Sequence, residues 1–167
     1  MADEERGWIR GAQRGSVADL ERLFREHWPR AYRAARLVTG DPAAAEDIAQ
    51  EAFLAAVRNL DRFDRRRPFG PWLHRIVVNR AIDWTRARRL RAEVELGDAY
   101  AAPDAAEPDR TAFRGIADLS PEHRAVIVLR YVLEYTPGEI ADLLGLPRGT
   151  VNSRLRRGLD RLRELQA

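Results

Sequence analysis

Arg148, Thr150, Asn152, Ser153, Arg156 and Arg157 crowd into one short stretch near the C-terminus. An Arg fork matches the guanine edge, an Asn amide matches adenine, and Ser or Thr hydroxyls reach bases or phosphates. On a helical period these six side chains face solvent, while Val151, Leu155, Leu159 and Leu162 turn inward. That is the chemistry of a DNA groove reader. Upstream, Arg75, Asn79, Asp83 and Arg86 are four, four and three residues apart and share one exposed helix stripe, preceded by the run Arg65-Arg66-Arg67. A third group, Asp47, Gln50, Glu51 and Leu54, shares the outward face of another helix. Read alone, its polar members favour a solvated acidic face, but Leu54 is apolar there and points to a partner.

No bond-making chemistry is legible. Paired carboxylates in a pocket, a nucleophile with a His partner and a Gly-rich phosphate loop are all missing from the pattern, so no catalytic residue is assigned. The chain has no Cys, which excludes disulfides and thiolate metal sites, and its three His (His27, His74, His123) lie far apart. No metal and no cofactor are expected. No apolar run approaches the roughly 20 residues of a membrane span, and Asp3, Glu4 and Glu5 interrupt the place of a signal stretch. The reading is a cytoplasmic protein without membrane insertion.

The net charge of +3 hides a strong patterning. Residues 58–91 hold 11 Arg against 3 acids, and 123–167 hold 8 Arg against 5 acids, whereas 92–122 hold 2 Arg against 8 acids. Two basic blocks separated by an acidic one raise the expectation of a polyanionic partner, although solvated helix faces give the same pattern. The basic residues are all Arg, which GC-rich coding explains as well as function does.

The elements that must position these groups are helical, since a 3.6-residue period dominates and no strand-like alternation persists. A first long helix starts near Val17, with Pro29 predicting a kink or break. Gly40, Asp41 and Pro42 supply a C-cap, an N-cap and a first helical residue. The second helix runs to about Leu60 and buries Ala45, Ile48, Ala49, Ala52, Phe53, Ala56 and Val57. Two Pro and one Gly predict a loop over 61–71, followed by a helix from Trp72 to about Arg91. The Ala-, Pro- and acid-rich stretch 92–112 reads as a flexible linker. The organisation expected is all-α, with two small helical domains at 1–91 and 113–167.

Ser120 and Pro121 open a helix of the second domain. Thr136-Pro137-Gly138-Glu139 is a capping box that starts a short helix through Leu144. Ala141 is small where two helices cross, Gly145 permits a positive φ in the turn, and Val151 plugs the following helix into the first. This is the spacing of a helix-turn-helix. An ordinary helical hairpin with a basic face is the competing reading.

Three blocks carry a wider resemblance: Ala45-Glu46-Asp47-Ile48-Ala49-Gln50-Glu51-Ala52-Phe53; Gly70-Pro71-Trp72-Leu73-His74-Arg75-Ile76-Val77-Val78-Asn79 with Asp83-Trp84-Thr85-Arg86; and Leu119 to Arg124 with Glu139 to Gly145 and Gly149 to Leu155. In this order they resemble regions 2.2, 2.3–2.4 and 4 of the bacterial sigma-70 family, extracytoplasmic-function (ECF) branch. The resemblance implies a sigma factor that binds core RNA polymerase and directs promoter-specific initiation. It implies that Asp47, Gln50, Glu51 and Leu54 dock on the β′ clamp coiled coil, with the β flap as a further contact. It implies that the loop with Arg65, Arg66 and Arg67 and the stripe Arg75, Asn79, Asp83 and Arg86 hold the −10 element as a single strand, a flipped base resting in a pocket of that loop near Asn79. Trp72 and Trp84 are candidate stacking rings there, though both fall on the apolar stripe, which favours core packing for them. Arg148, Thr150, Asn152, Ser153, Arg156 and Arg157 would read the −35 duplex in the major groove. An anti-sigma protein is the further partner implied. Pro147 departs from the Ser-like N-cap of many relatives, and the loop is unusually basic. A stand-alone helix-turn-helix regulator is the alternative function.

Overall fold

The computed structural model describes residues 2–96 and 115–165, and every regular element among them is helical. The first four helices are α1 (Ala2–Gln13), α2 (Val17–Thr39), α3 (Pro42–Arg58) and α4 (Phe69–Leu96). After the undescribed segment come α5 (Pro121–Tyr131), α6 (Pro137–Leu144) and α7 (Arg148–Glu164). Helix α2 is the central post of the first group and packs on α1, α3 and α4. Its inner stripe is Leu23, Ala31, Ala34, Ala35 and Val38, where small residues let the neighbours approach closely. Helix α3 answers with Ala45, Ile48, Ala49, Ala52 and Phe53, and α4 with Leu73, Val77, Val78, Ala81 and Ile82.

The expected punctuation sits in place. Gly40 caps α2 at φ 72°, the Asp41 carboxylate accepts from the Ala44 N–H, and Pro42 opens α3. Ser120 caps α5, and the Thr136–Glu139 capping box starts α6. Four expectations are corrected. Val57, expected in the buried stripe of α3, is exposed. Helix α2 continues unbroken through Pro29, which lies on the exposed face, where water can serve the carbonyl that loses its amide partner. The loop is shorter than 61–71, because Gly70 and Pro71 fall in the first turn of α4, where proline costs no hydrogen bond. Helix α4 also outlasts Arg91 and ends at Leu96, so five residues of the expected linker are helical; the rest of it, 97–112, lies outside the described residues.

Helix α1 was not read from the sequence as an element. Ile9 anchors it at 1% exposure and the Glu5 carboxylate meets His27 Nε2 at 2.5 Å.

The two helical groups pack directly on one another. Ala125, Val126, Ile127, Val128 and Leu129 of α5 are all buried, because α5 lies against α7 on one side and against α2 and α4 on the other. Arg124, only 4% exposed, donates from Nη1 to the Val38 carbonyl at 2.6 Å and from Nη2 to Ala117 and Leu119 carbonyls. Arg86 meets Glu122, Arg89 donates to the Leu119 carbonyl, and Arg30 meets Glu134 at 3.7 Å. His74 of α4 is 3% exposed and shares a 2.7 Å hydrogen bond through Nδ1 with the Tyr135 hydroxyl in the turn before α6.

Burial, aided by the nearby His27 and Arg30, pushes the His74 imidazole down to about 3, so it is neutral in this packing. A lowered histidine pKa stabilises the folded form above the unfolded value and loses that contribution as pH falls toward the folded value. Urea unfolding between about pH 6.5 and about pH 4.5 should lose stability at about 1 kcal/mol per pH unit more steeply in the wild type than in His74→Asn. Parallel profiles for the two proteins would refute the assignment. The turn after α6 gives a second test. Gly145 has φ 66° with open space around its Cα, so backbone strain is the whole cost of a side chain there. Gly145→Ala should lower stability by about 1–2 kcal/mol in thermal unfolding, and Gly145→Asn by less.

Candidate nucleic-acid and polymerase interfaces

The helix-turn-helix is built as its spacing requires. Ile140 and Ala141 of α6 and Val151 and Leu155 of α7 are buried together, and the Leu146 N–H closes the turn on the Ala141 carbonyl. Gly158 of α7 is tight against Ile127, where an added Cβ would stand 3.1 Å from its side chain; the close approach seats α7 on α5. Helix α7 starts at Arg148 despite Pro147, whose carbonyl accepts from Thr150 and Val151 although no side chain caps the end. Arg148, Asn152, Arg156 and Arg157 are exposed, and Thr150 and Ser153 are half-buried beside them. The six predicted reading residues thus lie on one helix, most of them open to solvent. On the flank toward α5, His123 is pushed down first by burial and then by the charges of Arg154 and Arg157.

The second basic surface is more ordered than its sequence implies. The chain leaves α3 through a single 3-10 turn, Leu60–Arg62, and buries Phe63 at 4.6 Å from Trp72 and 5.9 Å from Phe69 (ring centroids). Asp64 then accepts from the Arg66 backbone N–H at 3.0 Å and from its guanidinium at 3.0 Å. Those bonds to Arg66 hold the Asp64 carboxyl at about 2. Arg66 is therefore tied to its own loop, while Arg65 and Arg67 stay exposed with no such tether. On α4, Arg75, Asn79, Asp83 and Arg86 are all exposed, as the spacing predicts, although Arg86 also meets Asp83 and Glu122.

A cleft of about 790 Å³ opens between this loop and α6. Arg62, Arg67, Trp72 and Arg75 line one side; Glu139 and Asp142 line the other. Asn79, expected near the pocket, lies farther along α4 and does not line it. Trp72 serves both readings, half-buried against Phe63 and Phe69 yet open to the cleft. Trp84 is half-buried with the Arg88 guanidinium 5.0 Å from its ring centre. Arg88 also reaches Asp41 at 2.7 Å and, after the Ala44 backbone N–H, helps hold that carboxyl below its usual range.

The third group presents Asp47, Gln50, Glu51 and Leu54 on the outer face of α3, with Leu54 54% exposed. Glu51 pairs with Arg80 of α4 at 2.8 Å and Gln50 with Glu46, which leaves the apolar Leu54 as the uncovered member. The site features missed in the sequence are the Asp64 tether and the acidic lining of α6. An acid two residues before an Arg was the available signal for the first; nothing local signals the second, which depends on how the two helical groups meet. Among the described residues no His, Asp and Glu cluster is suited to a metal ion, and no helix is long and apolar enough to cross a membrane.

Comparison with known proteins places this architecture. Residues 23–91 match the model of sigma-70 region 2 and residues 115–164 that of sigma-70 region 4. The chain is 33% identical to the ECF RNA polymerase sigma factor SigW of Bacillus subtilis, over 93% of this chain and 91% of that one. It is 35% identical to the ECF sigma factor SigL of Mycobacterium tuberculosis, over 93% of each. In structure it resembles CnrH, solved in complex with the cytosolic domain of CnrY, with a TM-score of 0.73 at 29% identity over 97% of this chain and 96% of that one. On these matches the chain belongs to the ECF branch of the bacterial sigma-70 family of RNA polymerase sigma factors.

Proposed function

We propose that this sigma factor divides its work among the three surfaces. Residues 1–91 act as the region 2 domain and 113–167 as the region 4 domain. The outer face of α3 (Asp47, Gln50, Glu51, Leu54) docks on the β′ clamp coiled coil, and region 4 meets the β flap. The loop Arg65–Arg67 and the α4 stripe Arg75, Asn79, Asp83 and Arg86 hold the melted −10 strand, and Arg148, Thr150, Asn152, Ser153, Arg156 and Arg157 read the −35 duplex. The factor makes and breaks no covalent bond; polymerase does that chemistry, in the cytoplasm.

The observation that carries this reading is the contrast between the two basic surfaces. The α7 residues stand on a free convex helix, which suits a duplex groove. The loop surface is a cleft with aromatic rings at its base, which suits an unstacked strand. The acids of α6 occupy the far side of that cleft, so a strand enters only when region 4 moves away. Docking on polymerase supplies the energy for that separation. An anti-sigma protein would act in the opposite sense; the likeness to CnrH, which was solved bound to CnrY, spans both domains and supports such a partner.

In vitro transcription with purified core polymerase over a promoter library randomised at both elements tests the proposal. The chain should select −10 and −35 sequences with core and bind DNA weakly alone. Full-affinity duplex binding without polymerase would favour a stand-alone regulator instead. Arg156→Ala should weaken −35 recognition by about 1–3 kcal/mol at one base position. A shallower salt dependence with unchanged selectivity would make Arg156 a phosphate contact.

A further inference from the structure

Helix α1 ends at a point with consequences for the −10 loop. It precedes the segment that matches region 2, which begins at residue 23. The chain reverses just after it, with Gly15 at φ 89° and the Ser16 N–H on the Gly11 carbonyl, and this reversal fixes where the last helical residue, Gln13, points. The Gln13 amide Nε2 donates to the Leu60 carbonyl at 2.8 Å and to the Phe63 carbonyl at 3.3 Å. These two carbonyls bracket the 3-10 turn that feeds the loop.

Apart from the buried Leu60 and Phe63 side chains, the turn is closed by its own Arg62 N–H to Asn59 carbonyl and Phe63 N–H to Leu60 carbonyl bonds. Three-residue 3-10 turns have poor internal hydrogen-bond geometry, and here the Phe63 N–H bonds back to the same Leu60 carbonyl that Gln13 reaches. The direction in which the chain leaves the turn decides where the Phe63 ring sits under Trp72 and where Asp64 stands to tether Arg66. Residue type matters at this position. One amide nitrogen supplies two N–H donors without charge, whereas a carboxylate would set acceptor oxygens against two carbonyls.

We infer that Gln13 is a positioning residue for −10 recognition, and that α1 belongs to the promoter-reading unit. It touches no DNA itself; it acts through the backbone of residues 60–63 on the base of the cleft. This inference rests on the loop being the −10 reader.

The test uses the full chain with core polymerase and a promoter library randomised at both elements. Gln13→Ala and Gln13→Glu should reduce sequence selectivity at −10 positions about tenfold, with −35 selectivity and the core concentration for half-maximal transcription unchanged. Gln13→Lys, which restores donors, should recover most of the −10 selectivity. Wild-type −10 selectivity in Gln13→Ala and Gln13→Glu would overturn the inference. So would a loss shared equally by −10 selectivity, −35 selectivity and core affinity, which marks a general loss of structure. Arg67→Ala separates the two levels: if it leaves both the affinity for a melted −10 strand in the complex with core and the salt dependence of that affinity unchanged, the reading of the loop fails, whatever Gln13 does.

Discussion

The structure depends on the two-sided burial of α5 and on the cation at its start. Val38 lies in the last turn of α2, where helix carbonyls lack intrahelical partners and carry the negative end of the helix dipole. The Arg124 guanidinium supplies that partner from α5, and the Thr85 hydroxyl on α4 approaches the same carbonyl at 3.5 Å. Three helices from both halves of the chain thus meet at one oxygen. A buried Arg is costly unless its donors are used, and here Nη1 and Nη2 reach carbonyls of Val38, Ala117 and Leu119. The arrangement therefore fixes how region 4 sits on region 2 and resists small shifts, because any shift strands a buried cation.

That seat explains which functional surfaces are open. The ion pairs across the junction, exposed Arg86 with half-buried Glu122 and exposed Arg30 with exposed Glu134, contribute little each. Apolar burial of α5, with the neutral His74–Tyr135 pair, carries the association. The side of region 4 turned toward region 2 carries Glu122, Glu139 and Asp142, the opposite charge to the loop and stripe it faces. The side turned away carries the α7 reading residues. Under the proposed function, one domain shields the single-strand site with its acids and leaves its own duplex site free. Selectivity for polymerase-bound promoter DNA would then follow, since the two sites become available together only after separation.

Much of this was written plainly in the sequence. The caps at Gly40-Asp41-Pro42 and Ser120-Pro121, the capping box at Thr136 and the spacing of Ala141, Gly145 and Val151 are local chemistry, and local chemistry survives folding unchanged. The exposed stripe of α4 follows from helical period alone. What was not legible depends on neighbours distant in the chain. Ala125 to Leu129 are five consecutive apolar residues, which cannot share one helix face; all-round burial was the signal, and it announced the packing of the two domains. Pro29 and Pro71 misled in opposite ways, one tolerated on an exposed helix face and one absorbed in a first turn. Helix α1 escaped because its inner face rests on few residues, Ile9 chief among them, and its polar anchors find partners only in three dimensions.

The loop shows how a basic sequence becomes a shaped site. Three successive Arg would make a diffuse, salt-sensitive attraction for any polyanion. Asp64 removes one of them from that role by holding Arg66 through backbone and guanidinium together, and the bond bends the loop into a turn. Phe63 immediately before it is pulled inward under Trp72, so the charged residues are spread around an apolar base instead of projecting as a flexible tail. Under the proposed function, Arg65 and Arg67 attract a phosphate while a base meets rings, and the two interactions demand a fixed separation. That geometric demand, more than the amount of positive charge, distinguishes a strand with bases available for stacking from duplex DNA, whose bases remain paired and stacked inside the helix.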